Sequence, residues 1–189
     1  MKFEKYLSSI LVLILVISAV VGTGCIGGGE PSTTTITSPS TESEGNIGEP
    51  VRATFSDYEG TKTVEVTVLE YIRGEDANQM IKDANMFNDE PKPGNEYLLV
   101  KVRVKYVSGP SELSVSPTYF KAFANGVGRE YAWVVMPDST PKLDSVELVQ
   151  GGVIEGWIAF EVSEDTIVYL KYYYNIFEDP IVSIMIPAN

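Results

Sequence analysis

The chain has 189 residues, with 14 lysines and arginines against 26 aspartates and glutamates, a formal net charge of −12, one cysteine and no histidine. A surface this acidic repels phosphate backbones, so no nucleic-acid partner is expected. Without imidazole the Ser-His-Asp, Cys-His and most zinc arrangements are excluded, which leaves enzyme chemistry only carboxylates, lysine, tyrosine and hydroxyls to run on.

The first segment decides where the rest works. Lys2 and Lys5 precede the apolar run ILVLILVI at 10–17, and the small residues Gly22, Thr23 and Gly24 then lead to Cys25. That is the layout of a secretory signal. The apolar stretch at 6–21 falls short of the roughly 20 residues that a spanning helix requires. Residues 1–24 are therefore read as a signal peptide and Cys25 as a site of lipidation. The protein is expected at the cell membrane, lipid-anchored on its extracellular face, with membrane lipid as a partner through Cys25. The junction GCIGGG at 24–29 resembles that of archaeal lipoproteins, with Gly22 standing where a bacterial lipobox usually has leucine or valine.

Residues 25–50 are rich in Ser, Thr, Gly, Pro and Glu, and from Gly27 onward only Ile36 and Ile47 are large and apolar. So little apolar surface does not offset the entropy of ordering the segment, which reads as a disordered linker holding the domain off the membrane. Its composition also suits O-glycosylation. Residues 51–189 are long enough for one domain with its own core.

From Val51 onward the hydrophobic period is two. Val64, Val66 and Val68 alternate with Glu65 and Thr67 in a strand. At 75–87 the spacing changes: Ala77, Met80, Ile81, Ala84 and Phe87 recur at three and four, which predicts one short amphipathic helix. The turn formers and prolines of NDEPKPG at 88–94 end it. The clearest strand is 97–107. There Leu98, Val100, Val102, Val104 and Tyr106 share one face, and Lys101, Arg103 and Lys105 form a basic stripe on the other, expected to pair with carboxylates such as Glu65 on a neighbouring strand. Strand-like runs at 119–124 and 129–135 flank Asn125-Gly126, a hairpin signal. Residues 137–144 form a loop. Strands at 153–162, 166–174 and 181–186 complete a pattern that argues for a β-sandwich.

These motifs, in this order, resemble a known family. Pro93-Gly94 followed by YLLVKVRV at 97–104 is similar to the first core strand of the domain of unknown function 4352, a telokin-like, immunoglobulin-like module found typically in secreted proteins and lipoproteins. Residues 120–131 with their Asn125-Gly126 turn look like a second stretch of the family's pattern. Gly151-Gly152, Gly156 and Phe160-Glu161-Val162 look like its glycine-turn strand, and Leu170-Lys171-Tyr172 like the strand after it. Tyr106 stands where the family usually has asparagine. The resemblance implies an all-β, immunoglobulin-like (telokin-like) sandwich with one short helix in an envelope setting, and the family carries no agreed biochemical activity.

Four residues are the candidate ligand or partner surface. Alternation in the last long strand sends Tyr169, Lys171 and Tyr173 to one face and Val168, Leu170, Tyr172 and Tyr174 to the other. With Trp157 on an adjacent strand, Tyr169 and Tyr173 would make a stacking platform for a sugar or a partner protein. The oxygen ligands Asp83, Asn85, Asp89 and Glu90 raise calcium, but their spacing does not reproduce a calcium loop, and no metal site or cofactor is expected. Glu164-Asp165 and Glu178-Asp179 are sequence neighbours that would point apart, unlike the facing acids of a glycosidase. The expectation is a non-catalytic binding or assembly domain with an envelope protein or glycan as partner. The alternative is an accessory lipoprotein that captures a solute or metal for a transporter.

Overall fold

Alternation of apolar side chains governs strand placement in the computed structural model, which describes residues 42–189. The expected signal segment, Cys25 and the linker as far as residue 41 lie outside the described residues. The strands are β1 (Ser43–Asn46), β2 (Val51–Asp57), β3 (Gly60–Arg73), β4 (Asn95–Ser108), β5 (Leu113–Val115), β6 (Phe120–Ala124), β7 (Val127–Arg129), β8 (Val146–Leu148), β9 (Val153–Ser163), β10 (Val168–Tyr172) and β11 (Val182–Ile186), with one α-helix, α1 (Glu75–Ala84). One sheet has the order β1-β11-β10-β6-β7 and the other β2-β3-β4-β9, while β5 and β8 form a separate two-stranded ribbon. This is an all-β, immunoglobulin-like sandwich with one short helix.

The core lies between the two sheets. Val64, Val66 and Val68 of β3, Leu98, Val100, Val102 and Val104 of β4, and Ile158, Phe160 and Val162 of β9 meet Phe120 and Ala122 of β6, Val168, Leu170 and Tyr172 of β10, and Ile184 and Ile186 of β11. Each fully buried aliphatic or aromatic side chain contributes about 1.5–3 kcal/mol by leaving water, so the inward set of each strand fixes its register. The opposite face of β4 is wet over its second half, where charges pair across strands. Lys105 reaches Glu65 at 3.4 Å, Arg103 reaches Glu155 at 2.6 Å and Lys101 reaches Glu70 at 3.2 Å. The basic stripe is thus matched by carboxylates on β3 and β9, with Arg52 of β2 adding a contact to Glu65 at 2.6 Å.

Four expectations change on folding. The stretch read as linker to residue 50 contributes β1, which pairs parallel with β11 and brings the sheet's start forward to Ser43. The helix stops at Ala84, so Phe87 lies past its end, 84 % exposed rather than on its buried face. The second arm of the hairpin is the three-residue β7, and residues 131–136 run on outside a regular strand. The turn itself has the two positive φ values of a type I′ hairpin, 52° at Asn125 and 76° at Gly126. Finally, Trp157 and Tyr173, expected outward, are both buried. Tyr106, where the family usually has asparagine, is buried and donates its hydroxyl to the Ser111 carbonyl at 2.7 Å, fastening the connection that leaves β4.

Candidate functional site

The four residues expected to form a platform are not gathered. Tyr169 and Lys171 do share the outer face of β10, with Tyr169 exposed. Lys171 is tied to Glu42 at 2.9 Å and lies 5.4 Å from the Phe123 ring. Tyr173 follows β10 as a buried side chain whose amide donates to the Tyr119 carbonyl. Trp157 belongs to β9 of the other sheet, facing away from the main core. The oxygen-bearing residues near the helix are also apart in role. Asp83 accepts from Gln79, Glu90 holds Lys82 at 2.8 Å, and the Asn85 side chain accepts from the Phe87 amide. Among the described residues no three Asp, Glu or Cys side chains are grouped closely enough to hold a metal ion.

A different surface is assembled around Trp157. Helix α1 lays Ala77 and Ile81 on the outer side of β4 and β9, where Tyr97, Leu99, Trp157, Ala159 and Val134 complete a second apolar cluster. The three-and-four spacing is what turns these helix residues to one side. The chain leaves the helix through Asn85, and Asn88 then joins two loops. Its amide nitrogen donates to the Ile81 carbonyl at 2.7 Å and to the Val135 carbonyl at 2.9 Å, and its oxygen accepts from the Val135 amide at 2.8 Å. One side chain thereby caps the last helical turn and mimics a strand partner for residue 135. The neighbouring segment is pinned to the free edge of β9 by the Ala132 amide, which donates to the Ala159 carbonyl at 2.7 Å.

Between these loops lies a cleft of about 520 Å³, floored by Trp157, Ile158 and Ala159. Phe87 and Trp133 line it, 84 % and 88 % exposed, and Met86 and Val135 are exposed beside them. Tyr131 leans on Trp133 with ring centroids 4.9 Å apart. In an adjoining groove that shares residues 131–134 with the cleft, burial raises the Tyr97 hydroxyl above its usual range, and that hydroxyl donates to the Asp89 carbonyl at 2.9 Å. Glu161 is pushed up by burial, but the Asn95 amide group and the Lys92 N–H outweigh that and hold it below the ordinary carboxylate range, so it stays ionised as a structural acceptor. The chemistry on offer is apolar contact with a few fixed backbone and amide groups, and none of the cleft-lining groups is a nucleophile activated by a base. Leaving large apolar side chains in water is unfavourable, and several together mark an interaction surface.

Sequence reasoning missed Met86, Phe87 and Trp133 as surface residues. A signal was present at 131–135, where Tyr131, Trp133 and Val135 alternate with Ala132 and Val134. Both faces of that run are apolar, so whichever one turns outward must expose apolar side chains.

Comparison with known proteins bears on the whole domain. The family model described as Domain of unknown function (DUF4352) matches residues 57–182. No curated protein matches the chain. Among solved structures, a protein of Bacillus subtilis described as a lipoprotein (ycdA) aligns with a TM-score of 0.50 at 17 % identity, over 66 % of this chain and 36 % of that one. The chain therefore spans little more than a third of that relative. MPT63, a secreted protein from Mycobacterium tuberculosis, aligns with a TM-score of 0.52 at 16 % identity, over 76 % of this chain and 97 % of that one. At these identities the likeness is one of fold. Matched by the family model over most of its length, the chain belongs to DUF4352, a family of domains of unknown function.

Proposed function

We propose that the protein is a cell-envelope lipoprotein, anchored through Cys25 on the outer face of the membrane, whose immunoglobulin-like domain of telokin-like kind binds a partner protein and performs no catalysis. The archaeal-type junction before Cys25 and the basic-apolar-small order of the leader support the anchor. The external setting is supported by two structural relatives, one described as a lipoprotein and one as secreted. The lack of histidine supports binding over chemistry.

The observation that carries the binding reading is the cleft with its exposed Trp133 and Phe87. Aromatic anchors beside a preformed cavity are the usual energetic centres of protein interfaces. The rim chemistry favours a protein over a glycan: Met86, Phe87 and Val135 give sugar hydroxyls no hydrogen-bond partners, whereas an apolar segment of a neighbouring envelope protein would cover them. The test is a photo-crosslinking amino acid introduced in living cells at Trp133 and, as a control, at Thr54 on the outer face of β2. The expected result is one discrete envelope-protein adduct from position 133 that disappears with Phe87→Lys and is absent from position 54. The same adduct pattern from both positions, or none from either, refutes the reading.

A further inference from the structure

At the end of β3 away from α1 lies a second groove, separate from the apolar cleft, with a volume of about 660 Å³. It has an aromatic floor and wall. Phe55 stacks on Tyr174 with ring centroids 4.2 Å apart and planes 17° from parallel, Tyr119 lies alongside, and Tyr58 projects from the β2–β3 turn 96 % exposed. Four carboxylates line the same groove, those of Asp57, Glu59, Glu112 and Glu147, and its one cation is Lys62.

Lys62 is not available to a ligand. Its ammonium lies beneath the turn with only 5 % of the side chain exposed, held by Asp57 at 2.9 Å and Glu59 at 2.7 Å. Burial pushes the Asp57 carboxyl up, yet Lys62 and the amides of Glu59 and Gly60 outweigh it, while Lys62 and the Ser111 hydroxyl lower Glu59, so both turn carboxylates sit below their usual range and stay charged. Glu112 and Glu147 are different. Both are exposed, and among the described residues neither has an ion-pair partner. Glu147 sits on β8 directly opposite Ser114 of β5, Glu112 immediately precedes β5, and all three line the groove. Two unpaired like charges on one groove repel, and a planar cation of forked shape seated there would relieve that repulsion.

We propose that this groove binds an arginine-bearing segment of a partner protein, with a guanidinium held between Glu112 and Glu147 and lying against the Tyr58, Tyr119 and Tyr174 rings. Charge complementarity selects a cation. The combination of aromatic faces with separated carboxylates selects arginine over lysine, because a guanidinium stacks and forms forked hydrogen bonds at once while an ammonium is a hydrated point charge. The acidic whole chain adds long-range attraction for such a segment.

The experiment is calorimetric titration of the full chain in neutral detergent with acetylated, amidated tetra-arginine, and with tetra-lysine and cellotetraose for comparison. Wild type is expected to bind tetra-arginine saturably and several-fold tighter than tetra-lysine. Glu112→Gln/Glu147→Gln is expected to weaken it about fivefold, as two exposed ion pairs allow, and Tyr58→Ala to weaken it further without loss of folding, since that ring is in water. Asp76→Asn/Asp83→Asn on α1 removes the same charge far from the groove and is expected to leave affinity within twofold. Equal losses from the two double variants, equal affinity for the two peptides, or no saturable binding overturns the proposal. Cellotetraose binding that survives Glu112→Gln/Glu147→Gln also overturns it, and makes the groove a sugar site.

Discussion

Replacing Arg73 with methionine removes the cation that ties both sheets together at the helix end of the sandwich. Its Nε donates to Glu96 Oε1 at 2.7 Å, with Nη2 directed to the same oxygen, and its Nη1 donates to the carbonyls of Thr166 at 3.0 Å and Pro187 at 2.5 Å. Thr166 precedes β10 and Pro187 follows β11, so one guanidinium links β3 and the start of β4 to the β9–β10 connection and to the segment after β11. The Arg73 and Glu96 side chains are only 1 % and 4 % exposed. Removing one partner of a buried pair leaves an uncompensated charge and costs about 3–5 kcal/mol. The two carbonyls add less, because both are only part-buried and water reaches them once the side chain is shortened. A loss of about 4–6 kcal/mol is a large share of the ~5–15 kcal/mol that holds a domain of this size. Replacing both partners, Arg73→Met/Glu96→Met, removes the charge with its counter-charge and is expected to recover most of the loss, to within about 2 kcal/mol of wild type. Urea unfolding followed by tryptophan fluorescence measures all three proteins, with the slope checked for constancy. A loss under about 1 kcal/mol for the single variant, or a double variant as unstable as the single, refutes the reasoning.

Tyr172→Phe is expected to be neutral or to stabilise by up to about 1 kcal/mol, because the Tyr172 hydroxyl is buried without a hydrogen-bond partner while its ring stays packed 4.9 Å from Phe120; thermal unfolding decides it, and a clear fall in Tm shows that the hydroxyl has a partner in solution. Stability is expected to change by less than about 0.5 kcal/mol between pH 6 and 8, since no histidine is present to titrate. On the acid side Asp57, Glu59, Glu65 and Glu161 are all held below their ordinary values, so the stability they contribute is complete above the unfolded carboxylate pKa of about 4 and is lost as pH falls through their lowered folded values. On the alkaline side burial raises Tyr97 and Tyr172, which the unfolded chain ionises first, so stability falls as pH rises past about 10. Urea midpoints from pH 3 to 11 test both limits, and a transition centred near neutrality contradicts them.

The long strands with sustained alternation were legible, and the short elements, β1 and the three-residue β5 and β8, were not. Residues 97–107 announce β4 because five apolar side chains alternate with three cations, and the observed strand, Asn95–Ser108, extends that stretch by only a residue or two. Asn125-Gly126 announces its hairpin by backbone permissiveness alone. By contrast β1 is Ser-Glu-Gly-Asn, with no apolar side chain for a periodicity argument to find. Its place depends on backbone pairing with β11 and on Gly45, where a Cβ would come within 2.1 Å of Val51 Cγ2. Trp157 shows a second limit. β9 alternates Trp157 and Ala159 against Ile158 and Phe160, so period two separates its faces without saying that both are covered. Only the packing of α1 and residues 131–136 over one end of the sheet turned the expected platform residue into the floor of a cleft.

The distribution of charge explains why both proposed surfaces lie at ends and loops rather than on the broad sheet faces. Nine of the described cations are held in ion pairs: Arg52, Lys62, Arg73, Lys82, Lys101, Arg103, Lys105, Lys121 and Lys171. Those on β2 and the outer face of β4 meet carboxylates of the adjacent β3 and β9, so the outer face of that sheet is close to self-neutralising. Exposed pairs of this kind add little stability individually. They do remove the unbalanced charge that would attract a partner to the face. With the cations consumed there, the acidic surplus is left at sites such as the groove beside the β5–β8 ribbon, which Glu112 and Glu147 both line, and the apolar surplus at the loops around Trp133. A domain that neutralises its flat surfaces and leaves one aromatic and one acidic-aromatic concavity unbalanced directs recognition to those two places.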